Sequence, residues 1–433
     1  MAGFGRTDIT PPMGIPLAGY YEPRYADGVL DNLKVNALAV SNSDTTVIIA
    51  SVDILEIRKE LYEMYSKNVS EITGIPAENV YIVATHSHTA PVLGLNHENE
   101  MVREYTKELS KKISEAAVSA LNDMSDAEMG YGKGYAPGVS FVRRFIMKDG
   151  SMETNPGTNN PNISHPAGEA IPDVNIIRFN RKNADDIILA NFGNHPDVIC
   201  GCKISGDWPA HLVNYVEKFF DNTKCIFING AQGDVNHINV HPQKGWIGQG
   251  YEHSKHIARV VLGGVMQAYG TTVYTDDTSI AVNRCTVLVP SNKADKSELE
   301  EAHRINNLAL AGRGHELPYR DMQLTTVLAE AARKVRLENA PDFFEITLTA
   351  LKLGPVAILG FPGEPFAEIG RKVMDLEGFD MVIPNCLANG GEAYFPTIDA
   401  YEKGSFEARM SNFKPGVGEL LVQKGKQLLE SLR

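Results

Sequence analysis

The chemistry available to this 433-residue sequence lies in histidines and carboxylates that follow short apolar runs. The first is in residues 81–91, YIVATHSHTAP, where a β-rich run ends in His86-x-His88. In an extended chain, side chains at i and i+2 share a face. Strand geometry carried through Thr85 therefore predicts two imidazoles projecting together from the carboxyl end of a strand. Zinc takes such donors, and Pro91 and Gly94 mark the change to a loop, where α/β proteins place their sites. An ordinary polar loop also accounts for a bare His-x-His; what favours chemistry is that the pattern recurs. Residues 187–192 run into Gly193-Asn194-His195-Pro196-Asp197, and residues 356–359 run into Phe361-Pro362-Gly363-Glu364. Tyr394, in the loop 390–395, joins them as a candidate. Imidazoles and one carboxylate around an open position form the ligand set of a hydrolytic zinc ion, which lowers the pKa of its water toward ~7. Structural alternatives stand beside each: a turn histidine for His195, a helix cap for Glu364.

The elements that must position these residues read as α/β. Residues 46–52 form a strand, 59–72 an amphipathic helix and 81–83 the His-x-His strand, giving a βαβ unit with a right-handed crossover. Asp53, at the end of the first strand, reads either as a helix cap or as a partner for a site histidine. A helix over 99–121 carries an apolar stripe of Val102, Leu109, Ile113, Ala117 and Leu121. Strands are expected over 127–139, 174–179, 187–192, 225–228, 278–289, 343–353 and 356–359, and helices over 208–220, 253–270 and 416–432. Residues 151–171, rich in Asn, Pro, Gly and Thr, form a long irregular segment of the functional or mobile kind. The two glycines of 229–233 are expected to let backbone amides approach a ligand. Residues 293–308 and 322–339 form a charged helical pair, a lid or cap. No internal repeat, low-complexity tract or linker stands out. The expectation is one α/β domain over 1–433: a mixed β-sheet core flanked by helices, the site at strand carboxyl ends, and a helical insertion at about 293–340.

A net charge of -13 lacks the basic face that nucleic acid or an anionic membrane requires. No basic-then-apolar leader opens the chain, and no apolar run approaches the ~20 residues of a membrane span. The five cysteines are odd in number and lack CxxC spacing, so no disulfide framework is expected. Cys200-x-Cys202 is read as buried thiols rather than soft metal ligands. A reduced, soluble, cytoplasmic protein without a transmembrane segment follows, with a homo-oligomer left open.

Five segments, in order, carry a resemblance. ATHSHTAP is similar to the ATHTHSGP segment of the neutral/alkaline ceramidases. NFGNHPDVI resembles their second histidine segment, NGAQGDVN their NxGDVSPN segment and FPGEPF their PGE segment. AYFPTIDAYEKGSFEA resembles the tyrosine-bearing stretch near the end of their catalytic domain. The resemblance implies a zinc-dependent amidase in which His86, His195, Glu364 and Tyr394 are the ligands. His88 would stand beside the metal, polarising the scissile carbonyl. Arg143 falls at an active-site arginine of the family, with Val142 where the family has asparagine, and Arg144 is the alternative.

The departures shape the expectation further. The family's nucleophilic serine corresponds to Asn236, followed by His237 instead of proline, and another of its tyrosines corresponds to Phe406. An asparagine amide does not take up an acyl group as a serine oxygen does, so water must attack directly. His88 or His237 would carry the proton, and Asn236 would donate to the oxyanion. The secretion signal and carboxyl-terminal β-sandwich of the family's extracellular members are missing, as is any aromatic or amphipathic membrane-facing stretch. A small soluble amide or ester is therefore expected as substrate rather than ceramide. Rival readings are a non-catalytic metal-containing binding protein and a second metal around His237 and His241. An amidohydrolase barrel lacks the required later aspartate, and a metallo-β-lactamase site lacks HxHxDH, since Thr89-Ala90 follows His88.

Overall fold

A computed structural model describes residues 1–433; its three largest β-sheets are built on one plan, and a three-stranded sheet and four short strand pairs stand beside them. The first sheet has the order β1 (Ala2–Asp8), β2 (Lys34–Ser41), β3 (Thr46–Val52), β4 (Val80–Ala84). β2 and β3 are antiparallel, and β3 runs through helix α1 (Lys59–Thr73) to the parallel strand β4. Gly74, at φ 75°, ends α1 by donating its N–H to Ser70 O. The Asn99 side chain caps α2 (Glu100–Asn122) at the Met101 N–H.

The second sheet comprises β5 (Ala127–Tyr135), β6 (Asp173–Arg181), β7 (Asp186–Phe192), β8 (Thr223–Asn229) and β9 (Val273–Thr275), ordered β8-β7-β6-β5-β9. Again β6 and β7 are antiparallel, and β7 reaches the parallel β8 through α3 (Asp207–Phe219). Helix α4 (Tyr251–Gly270) packs with α3 on this sheet.

In the third sheet, β10 (Ile280–Pro290), β11 (Phe343–Leu353), β12 (Val356–Gly360) and β13 (Met381–Asn385) lie in chain order. Helices α5 (Lys296–Leu310) and α6 (Asp321–Leu337) are inserted between β10 and β11, at the place expected from their charge. β12 is antiparallel to β11 and reaches the parallel β13 through α7 (Ala367–Met374). Helices α8 (Ile398–Lys403), α9 (Phe406–Met410) and α10 (Val417–Glu430) complete the chain.

Strand alternation explains why these sheets meet. In β2, Ala37 and Ala39 face α1 and α2, whereas Leu38 and Val40 face a shared core. Ile177, Leu189 and Ile226 enter that core from the second sheet, and Leu351, Ile358 and Ile383 from the third. Helices cover the outer faces: α3 and α4 on the second sheet, α7 and α10 on the third. The fold is the expected α/β class, a mixed sheet core flanked by helices. The threefold use of one strand path was not visible as a sequence repeat, because what recurs is hydrogen-bonding order rather than residue identity.

Local expectations fail in places. Residues 151–171, expected to be irregular, supply strands Met152–Thr154 and Ile163–Pro166, which pair with the two edges of Arg144–Met147. Cys200 is exposed and Cys202 half-buried, because the segment after β7 runs over the surface; Cys225 and Cys386 are the buried thiols. The glycines of 229–233 sit in tight backbone-to-backbone packing: a side chain on Gly233 would overlap the Glu364 carbonyl, and one on Gly230 would meet Gly193. No helix is long and apolar enough to cross a membrane.

Candidate metal centre

The parallel strand pair of each sheet ends at the same place, and the segments leaving those ends carry the candidate ligands. β4 ends at Ala84, and His86 has φ 71°, a left-handed conformation uncommon outside glycine. The two imidazoles of His-x-His therefore do not converge through strand alternation, as the spacing predicted. Four contacts with the exit of β3 hold the turn instead. Thr85 N donates to Val52 O (2.9 Å) and His86 N to Ile54 O (2.8 Å). The Thr85 hydroxyl donates to Asp53 Oδ1 (3.1 Å), and His86 Nδ1 lies 2.8 Å from Leu55 O. Such a backbone costs about 1–3 kcal/mol and persists where its surroundings over-determine it. Asp53 thus neither caps α1 nor touches a site histidine; it binds Thr85 and the Lys34 N–H (2.9 Å). Burial pushes its carboxyl up to about 7.

His86 Nδ1, facing a carbonyl, carries the proton, and its Nε2 keeps a lone pair, an assignment made from the hydrogen bond. His195 is held the same way, with Nδ1 3.4 Å from Gln232 O. The two Nε2 atoms stand 3.1 Å apart, and His88 Nε2 lies 3.3 Å from that of His86. Glu364 Oε2 lies 3.4 Å from His86 Nε2 and 3.7 Å from His195 Nε2, and it is buried without a hydrogen bond. Lone pairs and a carboxylate oxygen facing one another repel unless a cation lies among them, so this donor set fits a divalent metal ion. Ligand atoms of His86, His88 and His195 all lie within 4.8 Å of one another, and no other group of at least three such side chains forms. Around His237 and His241 no such group of three forms, and His237 Nδ1 pairs with Asp197 Oδ1 at 3.0 Å.

Electrostatics keep the imidazoles neutral. Burial and the neighbouring His86 bring His88 down to about 3; burial and the Arg143 charge hold His195 well below its usual range; burial also lowers His86. Burial raises Glu364 to about 8, against the pull of Arg143. Burial disfavours the Asp197 charge, yet the hydrogen bond from His237 and the charge of that imidazole hold its carboxyl well below the carboxylate range.

The remaining candidates are placed as follows. Glu364–Pro365 pairs in parallel with Tyr394–Phe395, putting Tyr394 opposite Glu364, and burial drives the Tyr394 hydroxyl far up. Arg143 faces the cluster: Nε donates to Glu407 (2.7 Å), Nη2 donates to Gly233 O (2.8 Å), and Cζ lies 5.4 Å from the Tyr394 ring centroid. Arg144 turns away, toward Asp234 at 3.4 Å and over the Phe366 ring. Asn236 is fully buried in a short pair with Phe141–Val142. Its Nδ2 donates to Asn155 (3.0 Å), its Oδ1 accepts from Ile238 N (3.0 Å), and no hydrogen bond joins it to the histidines.

Two residues went unnoticed in the sequence. Asn229 Nδ2 donates to Thr85 O (2.7 Å), and Asn385 Nδ2 donates to Asn229 O (2.7 Å), lacing the last strands of all three sheets beneath the site. An asparagine closing each apolar run, CIFIN and MVIPN, is the pattern that would have found them.

A largely buried three-histidine and carboxylate cluster, set where three α/β layers meet, defines the class: a fold built around a candidate metal centre. The chain has the fold of the neutral ceramidases. It is similar over 100% of its length to a crystal structure of neutral ceramidase from Pseudomonas aeruginosa, with a TM-score of 0.76, 17% identity and 74% of that chain covered. A ceramidase complexed with C2 is similar over 100% of the chain, with a TM-score of 0.73, 16% identity and 75% of that chain covered. No protein-family model matches the sequence, and no curated protein matches it.

Proposed function

We propose that the chain is a metal-dependent hydrolase of an amide or ester bond, acting on a small dissolved substrate rather than ceramide, with zinc as its ion. The observation that carries this reading is the meeting of neutral imidazoles with an unpartnered carboxylate oxygen, drawn from three sheets. His86, His195 and Glu364 would hold the ion, with Tyr394 beside Glu364 completing the set. The ion, when bound, supplies Lewis-acid activation of water. His88 then lies where a substrate carbonyl would be polarised, and the Arg143 guanidinium adds a fixed positive charge toward the developing oxyanion. Asn236 offers its remaining N–H as a donor, since the other is taken by Asn155. No serine is available at that place, so the attacking group is water; its proton would pass to the neutral His88, because the bond to Asp197 favours a His237 that already holds its own.

The test is turnover by protein purified without chelators, on a panel of N-acyl amides, esters and ceramide. Hydrolysis abolished by EDTA and restored by zinc is the expected result. Bound zinc without turnover on the whole panel would favour a second reading, a non-catalytic metal-containing binding protein. What speaks for that second reading is Asn236, whose side-chain oxygen and one amide hydrogen are both engaged in structural bonds.

A further inference from the structure

His86 and His195 each have a carbonyl at Nδ1, whereas His88 Nδ1 is buried without a well-formed hydrogen bond. The Gly19 backbone stands at the ring, and packing supplies the rest of its orientation. That packing comes from the hairpin formed by Pro16–Leu17 and Arg24–Tyr25. At its turn, Gly19 has φ 96°, and a Cβ there would lie 2.7 Å from both Cγ and Nδ1 of His88. The position is closed to side chains by conformation and by space together. Tyr20 meets the same ring edge-on, with centroids 5.5 Å apart at 81°.

Arg24 fastens the hairpin to the residue it covers. Its Nη2 donates to His88 O (2.7 Å) and to Ala18 O, and its Nη1 donates to Gly201 O (2.7 Å). The guanidinium carbon lies 4.1 Å from the Tyr20 ring centroid. Ala18 N donates to Ala90 O and Val92 N to Pro16 O, both at 2.9 Å, so the hairpin is stitched along the segment leaving His88. The rings of His86 and His195 also lie against it, at centroid distances of 4.9 and 5.2 Å.

We propose that Gly19 and Tyr20 are positioning residues that set the ring orientation of His88, with Arg24 as the clip that holds them in place; this rests on the reading above, in which His88 acts beside the ion. The hairpin acts through His88 rather than on substrate. Its effect is on the geometry of the ring relative to the other two imidazoles, where a displacement of about 1 Å is costly to a reaction.

The test compares Tyr20→Ala, Tyr20→Phe and Gly19→Ala, using ring nitrogen resonances of the histidines in metal-free protein, zinc affinity by chelator competition, and the split between kcat and KM. Tyr20→Ala and Gly19→Ala are expected to move the His88 resonances while those of His86 and His195 stay in place, and to lower kcat on the order of tenfold. Tyr20→Phe, which keeps the ring edge, is expected to restore the wild-type resonances. Unmoved His88 resonances in Tyr20→Ala would overturn the proposal. Should Gly19→Ala fail to fold, Tyr20→Ala and Tyr20→Phe decide alone. Absence of turnover in the wild-type protein would sink the hydrolase reading only, because the resonances report on the hairpin without it.

Discussion

The second and third sheets deliver their ligand where the strand enters the crossover helix: His195 follows β7, which ends at Phe192, and Glu364 follows β12, which ends at Gly360. The first sheet delivers its histidines at the other end of the crossover, beyond β4, on a backbone at φ 71°. Its corresponding exit, residues 52–55 after β3, supplies no ligand. Every residue there instead takes a hydrogen bond from Thr85 or stands against His86. One strand path thus serves two ends, ligand delivery in two sheets and a cradle in the third. The strain at His86 is tolerated because four hydrogen bonds, two from Thr85 and two from His86, tie the turn to the cradle.

The largest effect that sharpens this comparison is expected from a delivered ligand. His195→Ala should weaken zinc binding by more than the roughly 10–100-fold that loss of an outer partner costs, as read by chelator competition. Full metal occupancy in that variant would remove His195 from the site. The cradle should matter less but measurably. Thr85→Val deletes the hydroxyl bound to Asp53 and should lower zinc affinity about tenfold. Wild-type affinity would mean that the strained turn holds itself.

A third test uses the buried acid of the cradle. Burial raises Asp53 from the ordinary carboxylate range to about 7. Between those values the folded protein keeps a proton that the unfolded chain has released. Its contribution therefore makes stability fall as pH rises through that window, by up to about 1.4 kcal/mol per pH unit. Asp53→Asn removes that dependence, so urea unfolding of the variant should gain on wild type from about pH 4 to about pH 7. A gap that stays flat with pH would show that Asp53 is not held neutral. The smallest expected effect on the site is that of Asn236→Ser, which adds a hydroxyl without touching the ligands. An acyl adduct seen by mass spectrometry after quenching would show that only the nucleophile was missing; none would mean that the pocket does not present the carbonyl to that position.

His86, His88, His195 and Glu364 were legible because each follows an apolar run, a pattern written within ten residues. The α/β class, a mixed sheet core flanked by helices, was legible for the same reason, through apolar runs such as TVIIASV. What stayed hidden depends on distant partners. The φ of His86 is set by carbonyls of residues 52–55, and the choice between Arg143 and Arg144 by Glu407 and Asp234. Asn229 and Asn385 bind backbone groups of neighbouring sheets, and the Gly19 turn meets a histidine far along the chain. Cys200 misled because cysteine is usually buried, and this one lies on a surface loop.

Zinc titration of metal-stripped protein, followed by X-ray absorption on the loaded sample, tests most directly whether three sheets share one ion. One zinc per chain, with nitrogen and oxygen donors at about 2.0–2.1 Å, imidazole scattering and no sulfur, is the predicted result. No tight binding, or a sulfur shell near ~2.3 Å that would place the ion at cysteines, would contradict it.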